Sequence, residues 1–150
     1  MSGHATILVA DDDQNDVFFL RRAFQKSGVS HAVIHVSDGQ EAIDYLQGEA
    51  NYRDRARFPV PALVLLDLKM PKVDGLEVLR QVKGDETLKV IPVVMLTSSR
   101  EETDLVKSYR LGANAYVVKP VGFEQFADAI RQVGIFWAVL NEPPPDSSGP

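Results

Sequence analysis

Several polar residues in this chain stand directly after short apolar runs. Asp11 and Asp12 follow Thr-Ile-Leu-Val-Ala, Asp67 follows Leu-Val-Leu-Leu, Thr97 closes the run from Val90 to Leu96, and Lys119 follows Ala115 to Val118. If those runs are strands of one parallel sheet, their carboxyl ends share an edge. That edge is where open α/β sheets place their ligands. Three carboxylates brought together there repel one another, which raises their proton affinities unless a cation intervenes. All-oxygen donors suit a hard divalent ion, and Mg²⁺ keeps several waters beside one or two carboxylates and a phosphate. Lys119 supplies a point charge for a phosphoryl oxygen, and Thr97 a hydroxyl for another. The set is suited to placing a phosphoryl group on a carboxylate that attacks in line. Each residue alone is ordinary, and Asp13 has a simpler use as a helix cap.

The elements that must position these residues alternate strand and helix. Thr6 to Ala10 reads as a buried strand. A helix starts near Gln14, carries Val17, Leu20 and Phe24 at helical spacing, and stops at Gly28. Ala32 to Val36 is a second strand, and Asp38-Gly39 turns it into a helix with Ala42, Ile43 and Leu46 inward. Leu63 to Leu66 is unbroken apolar sequence, as in a strand covered on both faces. Met70-Pro71 stops it, because proline has no amide for the ladder, and Asp74-Gly75 opens a helix reaching Lys83. The fourth strand is expected over Val90 to Leu96, a more polar helix over Glu101 to Leu111, and the fifth strand over Ala115 to Val118. A last helix runs from Gly122 to about Leu140. The expected architecture is α/β, a doubly wound sheet of five parallel strands joined by right-handed crossovers. Gly48 to Pro61 interrupts the rhythm, since such connections usually need about 2–6 residues. Its Arg53, Arg55 and Arg57, beside Tyr52 and Phe58, fit a solvated surface loop or a loop that docks a partner.

Bulk composition is compatible with one globular domain. The chain has 150 residues, 45% apolar and 25% charged, with a formal net charge of -5. Scattered Lys and Arg on an acidic chain disfavour nonspecific nucleic-acid binding. With no cysteine there is no disulfide or thiol chemistry. The sequence shows no signal-peptide pattern and no run of membrane-spanning length, so a cytoplasmic protein that binds neither membrane nor nucleic acid is expected.

The motifs Ile-Leu-Val-Ala-Asp-Asp, Asp67-Leu-Lys-Met-Pro-Lys-Val-Asp-Gly75, Val-Met-Leu-Thr97-Ser98 and Tyr116-Val-Val-Lys119-Pro120 together resemble a response-regulator receiver domain, the phosphoacceptor module of two-component signalling. The likeness covers roughly Ala5 to Leu140. It implies a flavodoxin-like sheet of order 2-1-3-4-5, with residues 1–140 as the receiver; by composition the Pro-rich tail 141–150 has nothing to bury and is expected to be disordered. By the same resemblance Asp67 is the phosphorylated residue, and Asp11 and Asp12 hold Mg²⁺ with the backbone carbonyl of Lys69. Thr97 and Tyr116 form a switch pair, Lys119 contacts the phosphoryl group, and Lys119-Pro120 is a cis peptide. The implied partner is a sensor histidine kinase. The phosphoryl group draws the Thr97 hydroxyl, Tyr116 fills the vacated space, and the surface of the fourth helix, fifth strand and fifth helix is biased between two arrangements. Lys69 and Ser99 depart from the best-known chemotaxis regulator beside the site, so its dephosphorylation rate does not transfer.

Phe123, Phe126, Ala127, Ile130, Val133, Trp137 and Leu140 form one inward stripe of the last helix. Ile135 to Leu140 is apolar on every side, so Ile135, Phe136 and Val139 are left over for a two-fold subunit interface. The long loop and the Phe-Trp ending resemble the single-domain regulators of phytochrome-type photoreceptor kinases, which implies a homodimer. An enzyme is not expected: haloacid-dehalogenase-like phosphatases need a second acid two residues after the phosphorylated one, and Lys69 stands there. The alternative of a phosphorylation-independent scaffold dimer predicts loss of Asp12, Asp67 or Lys119, and all three are present.

Overall fold

The computed structural model describes residues 6–26, 32–97 and 102–118. Strands β1 (Thr6–Ala10), β2 (Ala32–Val36), β3 (Leu63–Leu66), β4 (Val93–Thr97) and β5 (Ala115–Val118) form one sheet. All pairings are parallel and the order is β2-β1-β3-β4-β5. Helices α1 (Gln14–Lys26), α2 (Gly39–Gln47), α3 (Gly75–Lys83) and α4 (Glu102–Arg110) lie between strands. The helix expected over Gly122 to Leu140, with Ile135, Phe136 and Val139, falls outside the described residues. So do Gly28, Ser99, Lys119 with its peptide bond to Pro120, and the 141–150 tail.

Every residue of β1 and β3 is buried, as their apolar runs require. Side chains alternate across the sheet. Ile7, Val9, Leu63 and Leu65 pack with Val17, Leu20 and Phe24 of α1 on one face. Leu8, Ala10, Val64 and Leu66 pack on the other with Ala42, Ile43 and Leu46 of α2 and Val78, Leu79 and Val82 of α3. Each fully buried leucine contributes on the order of 1.5–3 kcal/mol. Asp13 caps α1 as anticipated, its Oδ1 accepting from the amides of Asn15 at 2.9 Å and Asp16 at 3.4 Å.

The fourth strand begins later than the apolar pattern predicts. Leu88–Val90 is a 3-10 turn and Val90 is 77% exposed. Asp85 causes this: its Oδ1 accepts from Thr87 N and Leu88 N, and its carbonyl from Lys89 N. Pro92 then has no amide to give, although its carbonyl accepts from Val64 N at 3.0 Å.

The 48–61 connection is exposed at Arg53, Arg57 and Val60, as a surface loop is, yet its base is anchored. Gly48, at φ 69°, ends α2 in the left-handed region. The rings of Tyr45, Tyr52 and Phe58 then cluster with centroids 5.0–6.1 Å apart. Arg55 donates to the carbonyls of Tyr45 (2.8 Å), Leu46 (2.7 Å) and Phe58 (2.9 Å), holding the open end of α2. The Tyr52 hydroxyl donates to Glu41. Burial first, and the Glu41 carboxylate next, push the Tyr52 phenol well above its ordinary value of 10.0. This contribution to stability is therefore present below pH 10.0 and lost as the pH rises through the folded-state value.

Because Arg55 satisfies three carbonyls, Arg55→Ala is expected to cost about 2–3 kcal/mol in urea denaturation, while exposed Arg53→Ala stays within about 0.5 kcal/mol. Equal midpoints for the two variants would mean that the connection is only a loose surface loop.

Candidate functional site

The site grows from the register of the central strands. Ala10 pairs with Leu66, so Asp11 and Asp67 are the next residues on adjacent strands. Backbone bonds fix both tips: Asp11 N donates to Val36 O at 3.1 Å, and Asp67 N to Ala10 O at 2.9 Å. One carboxylate oxygen from each of Asp11, Asp12 and Asp67 lies within 4.8 Å of the others. Asp11 and Asp67 are buried and Asp12 is exposed, so the cluster has one open side.

The turn after β3 is shaped by glycine. Gly75 N donates to Leu68 O at 2.7 Å. A Cβ on Gly75 would fall 2.1 Å from Asp67 O, which no side chain tolerates. The turn is thus folded back under the Asp67 peptide, while Asp74 caps α3 through the Glu77 amide at 2.9 Å. Inside the turn, Lys69 N approaches Asp67 Oδ1 at 3.4 Å and the Lys69 side chain is exposed. Lys72 occupies the left-handed region at φ 69°. On α3 itself, hydrogen bonds from Arg80 hold the Glu77 carboxyl down at about 2.

On the other side of Asp67, Leu66 pairs with Met95, and Thr97 lies two residues further along β4, its backbone opposite Val118. Tyr116 pairs with Met95, and its half-buried ring packs against the α2–α3 core. The Thr97 side chain and all of Lys119, which follows Val118, lie outside the described residues. The structure therefore brings Asp11, Asp12 and Asp67 together and puts Tyr116 two strands from Asp67, on β5.

The donor set fits a hard divalent cation. Three carboxylates converge within 4.8 Å, and such oxygen-only groups are the ligands that Mg²⁺, Mn²⁺ and Ca²⁺ accept. One neighbour of this cluster was not singled out from the sequence. His35 Nε2 sits 2.7 Å from the backbone oxygen of Asp11. A carbonyl only accepts, so the ring bears its proton on Nε2. The available signal was a histidine interrupting the apolar strand Ala-Val-Ile-His-Val.

Known proteins resemble this chain in sequence and fold. The family model "Response regulator receiver domain" matches residues 7–131. Response regulator Rcp1 of Synechocystis sp. is 36% identical over 131 residues, 87% of each chain. The Mn²⁺-bound structure of Rcp1 superposes with a TM-score of 0.82 at 35% identity, over 89% of this chain and 94% of that one. The phosphorylated cyanobacterial phytochrome response regulator RcpA gives a TM-score of 0.86 at 38% identity, over 92% and 96%. The bacteriophytochrome response regulator RtBRR is 56% identical, covering 97% of this chain and 87% of its own, with a TM-score of 0.75. With a match of that extent over a sheet whose two central strands end in the acidic cluster, this chain belongs to the response regulator receiver family.

Proposed function

We propose that this protein is a single-domain response regulator that accepts a phosphoryl group on Asp67 from a histidine kinase. The observation that carries the assignment is the convergence of Asp11, Asp12 and Asp67 within 4.8 Å at the carboxyl ends of β1 and β3. An Asp67 carboxylate oxygen forms the new bond to phosphorus as the phosphorus–nitrogen bond of the donor phosphohistidine breaks, and its electron pair returns to the imidazole. Asp11, Asp12, Asp67 and the Lys69 carbonyl would hold Mg²⁺. Bound there, the ion offsets the charge of the carboxylates and of the incoming phosphoryl oxygens. Lys119 adds a second positive charge. Burial of Asp67 beside Asp11 keeps bulk water from much of the pocket.

Readout runs through Thr97 and Tyr116. The new phosphoryl group adds charge and acceptor oxygens, Thr97 is drawn to them, and Tyr116 moves on β5. The surface built by α4, β5 and the last helix then changes its preferred arrangement. On α4, Leu105, Val106 and Tyr109 are exposed apolar side chains, a contact face for a partner.

The names of RcpA and RtBRR associate those relatives with phytochromes. On that likeness, the kinase of this protein is a phytochrome photoreceptor kinase. A homodimer through Ile135, Phe136 and Val139 covers the apolar end of the last helix. The protein acts as a cytoplasmic signalling module and not as an enzyme.

Incubation with Mg²⁺ and acetyl phosphate is expected to add one phosphoryl group by intact mass. Asp67→Asn should abolish the addition while the far-ultraviolet dichroism and urea midpoint stay close to wild type; continued labelling of that variant overturns the assignment. Asp12→Asn should slow the same labelling sharply at limiting Mg²⁺, and chelation of the metal should stop it in the wild type. Light scattering is expected to give a dimer mass with Mg²⁺ and beryllium fluoride, and a monomer mass for Phe136→Asp. A wild-type monomer with and without beryllium fluoride sinks the dimer.

A further inference from the structure

The segment His35–Gly39, where edge strand β2 passes into α2, contributes nothing to the acidic cluster, yet it is bonded to both turns that carry it. On the β1 side, His35 Nε2 donates to the Asp11 carbonyl at 2.7 Å and Val36 O accepts from the Asp11 amide at 3.1 Å. The Asp11 peptide units are therefore held from β2 on both sides of the residue. On the β3 side, Gly39 N donates to Pro71 O at 3.3 Å, and Lys72 Nζ lies 3.5 Å from Asp38 Oδ2. A Cβ on Gly39 would fall 1.7 Å from Val73 O, so α2 and that turn meet backbone to backbone.

We propose that His35 is a positioning residue for the divalent-cation site, acting through the Asp11 backbone. This rests on the metal-binding reading of the cluster given above. The Asp11 carbonyl is within reach of the imidazole, and fixing that carbonyl fixes the rotation of the peptide that follows. The same turn is closed by Asp13 N donating to Asp11 Oδ1 at 2.9 Å. With the peptide and the side chain both held, the Asp11 carboxylate keeps its place, one oxygen within 4.8 Å of those of Asp12 and Asp67.

Mg²⁺ demands a near-ideal octahedron, so a loosened ligand is felt in affinity. Removing outer partners of metal ligands typically costs about 10–100-fold in affinity. His35 holds the ligand's backbone and not its carboxylate, which places its effect near the low end, about tenfold.

The test titrates Mn²⁺ into the full-length protein and follows free Mn²⁺ by electron paramagnetic resonance, with metal-free thermal melting alongside. His35→Ala is expected to weaken Mn²⁺ binding about tenfold. His35→Gln places an amide N–H where Nε2 stands and should recover most of that loss. Recovery by glutamine separates the hydrogen bond from simple loss of packing, whatever the alanine variant does to the melting temperature. Wild-type affinity in His35→Ala, or equal weakening in both variants, overturns the proposal and leaves the metal site standing. A wild-type protein that binds no Mn²⁺, or whose binding survives Asp12→Asn unchanged, overturns the metal-binding reading and this inference with it.

Discussion

Three carboxyl side chains are held within 4.8 Å of one another at one edge of the sheet, and the local structure follows from holding them there. At that separation two carboxylates near a surface repel by on the order of 3 kcal/mol at an effective dielectric of about 20. Side chains alone would swing apart. The chain prevents this with backbone contacts that have no rotamer to change: Asp11 N to Val36 O, Asp67 N to Ala10 O, and Gly75 N to Leu68 O. Both supporting strands, β1 and β3, are buried along their whole length. Repulsion held by a rigid support would become affinity for a divalent cation that neutralises it.

Much of this was legible in the sequence because an ionisable residue ending an apolar run is a local signal. The bounds of β2, β3, β5, α2's inward face and α3 follow from runs and turns read within a few residues. The start of β4 did not. Val90 and Ile91 continue the apolar pattern, but Asp85 accepts amides from Thr87 and Leu88 and winds the chain into a 3-10 turn first. A side chain that competes for backbone amides a few residues on is a local effect, yet an apolar run outweighs it on paper.

The 48–61 connection was illegible for a different reason. Its anchoring groups are backbone carbonyls of Tyr45, Leu46 and Phe58, which every sequence has and none advertises. Of three arginines at alternate positions, only Arg55 reaches them. Arg53 and Arg57 remain exposed. The pattern Arg-x-Arg-x-Arg resembles a solvated face, and only the fold distinguishes its members. The same limit hid His35: its partner is the Asp11 carbonyl, 24 residues away in sequence.

Among the described residues, several of these fixed points are linked through α2. Tyr52 holds Glu41, whose other oxygen accepts from Ser37 N, at the start of α2. Asp38 both caps α2 through the Glu41 amide and faces Lys72. From the 48–61 connection through α2 to the turn after Asp67 there is a continuous series of hydrogen bonds, an ion pair and close backbone contacts. A packed region of that kind responds to a new charge as a unit and yields little. Beyond β3, α4 leaves Leu105, Val106 and Tyr109 in solvent, and Tyr116 on the edge strand β5 is only half-buried. A charge added at Asp67 would meet that braced wall on the α2 side. If Asp67 is phosphorylated as proposed, the bracing of α2 leaves displacement to the other flank of the site, on which the proposed switch residue Tyr116 of β5 lies.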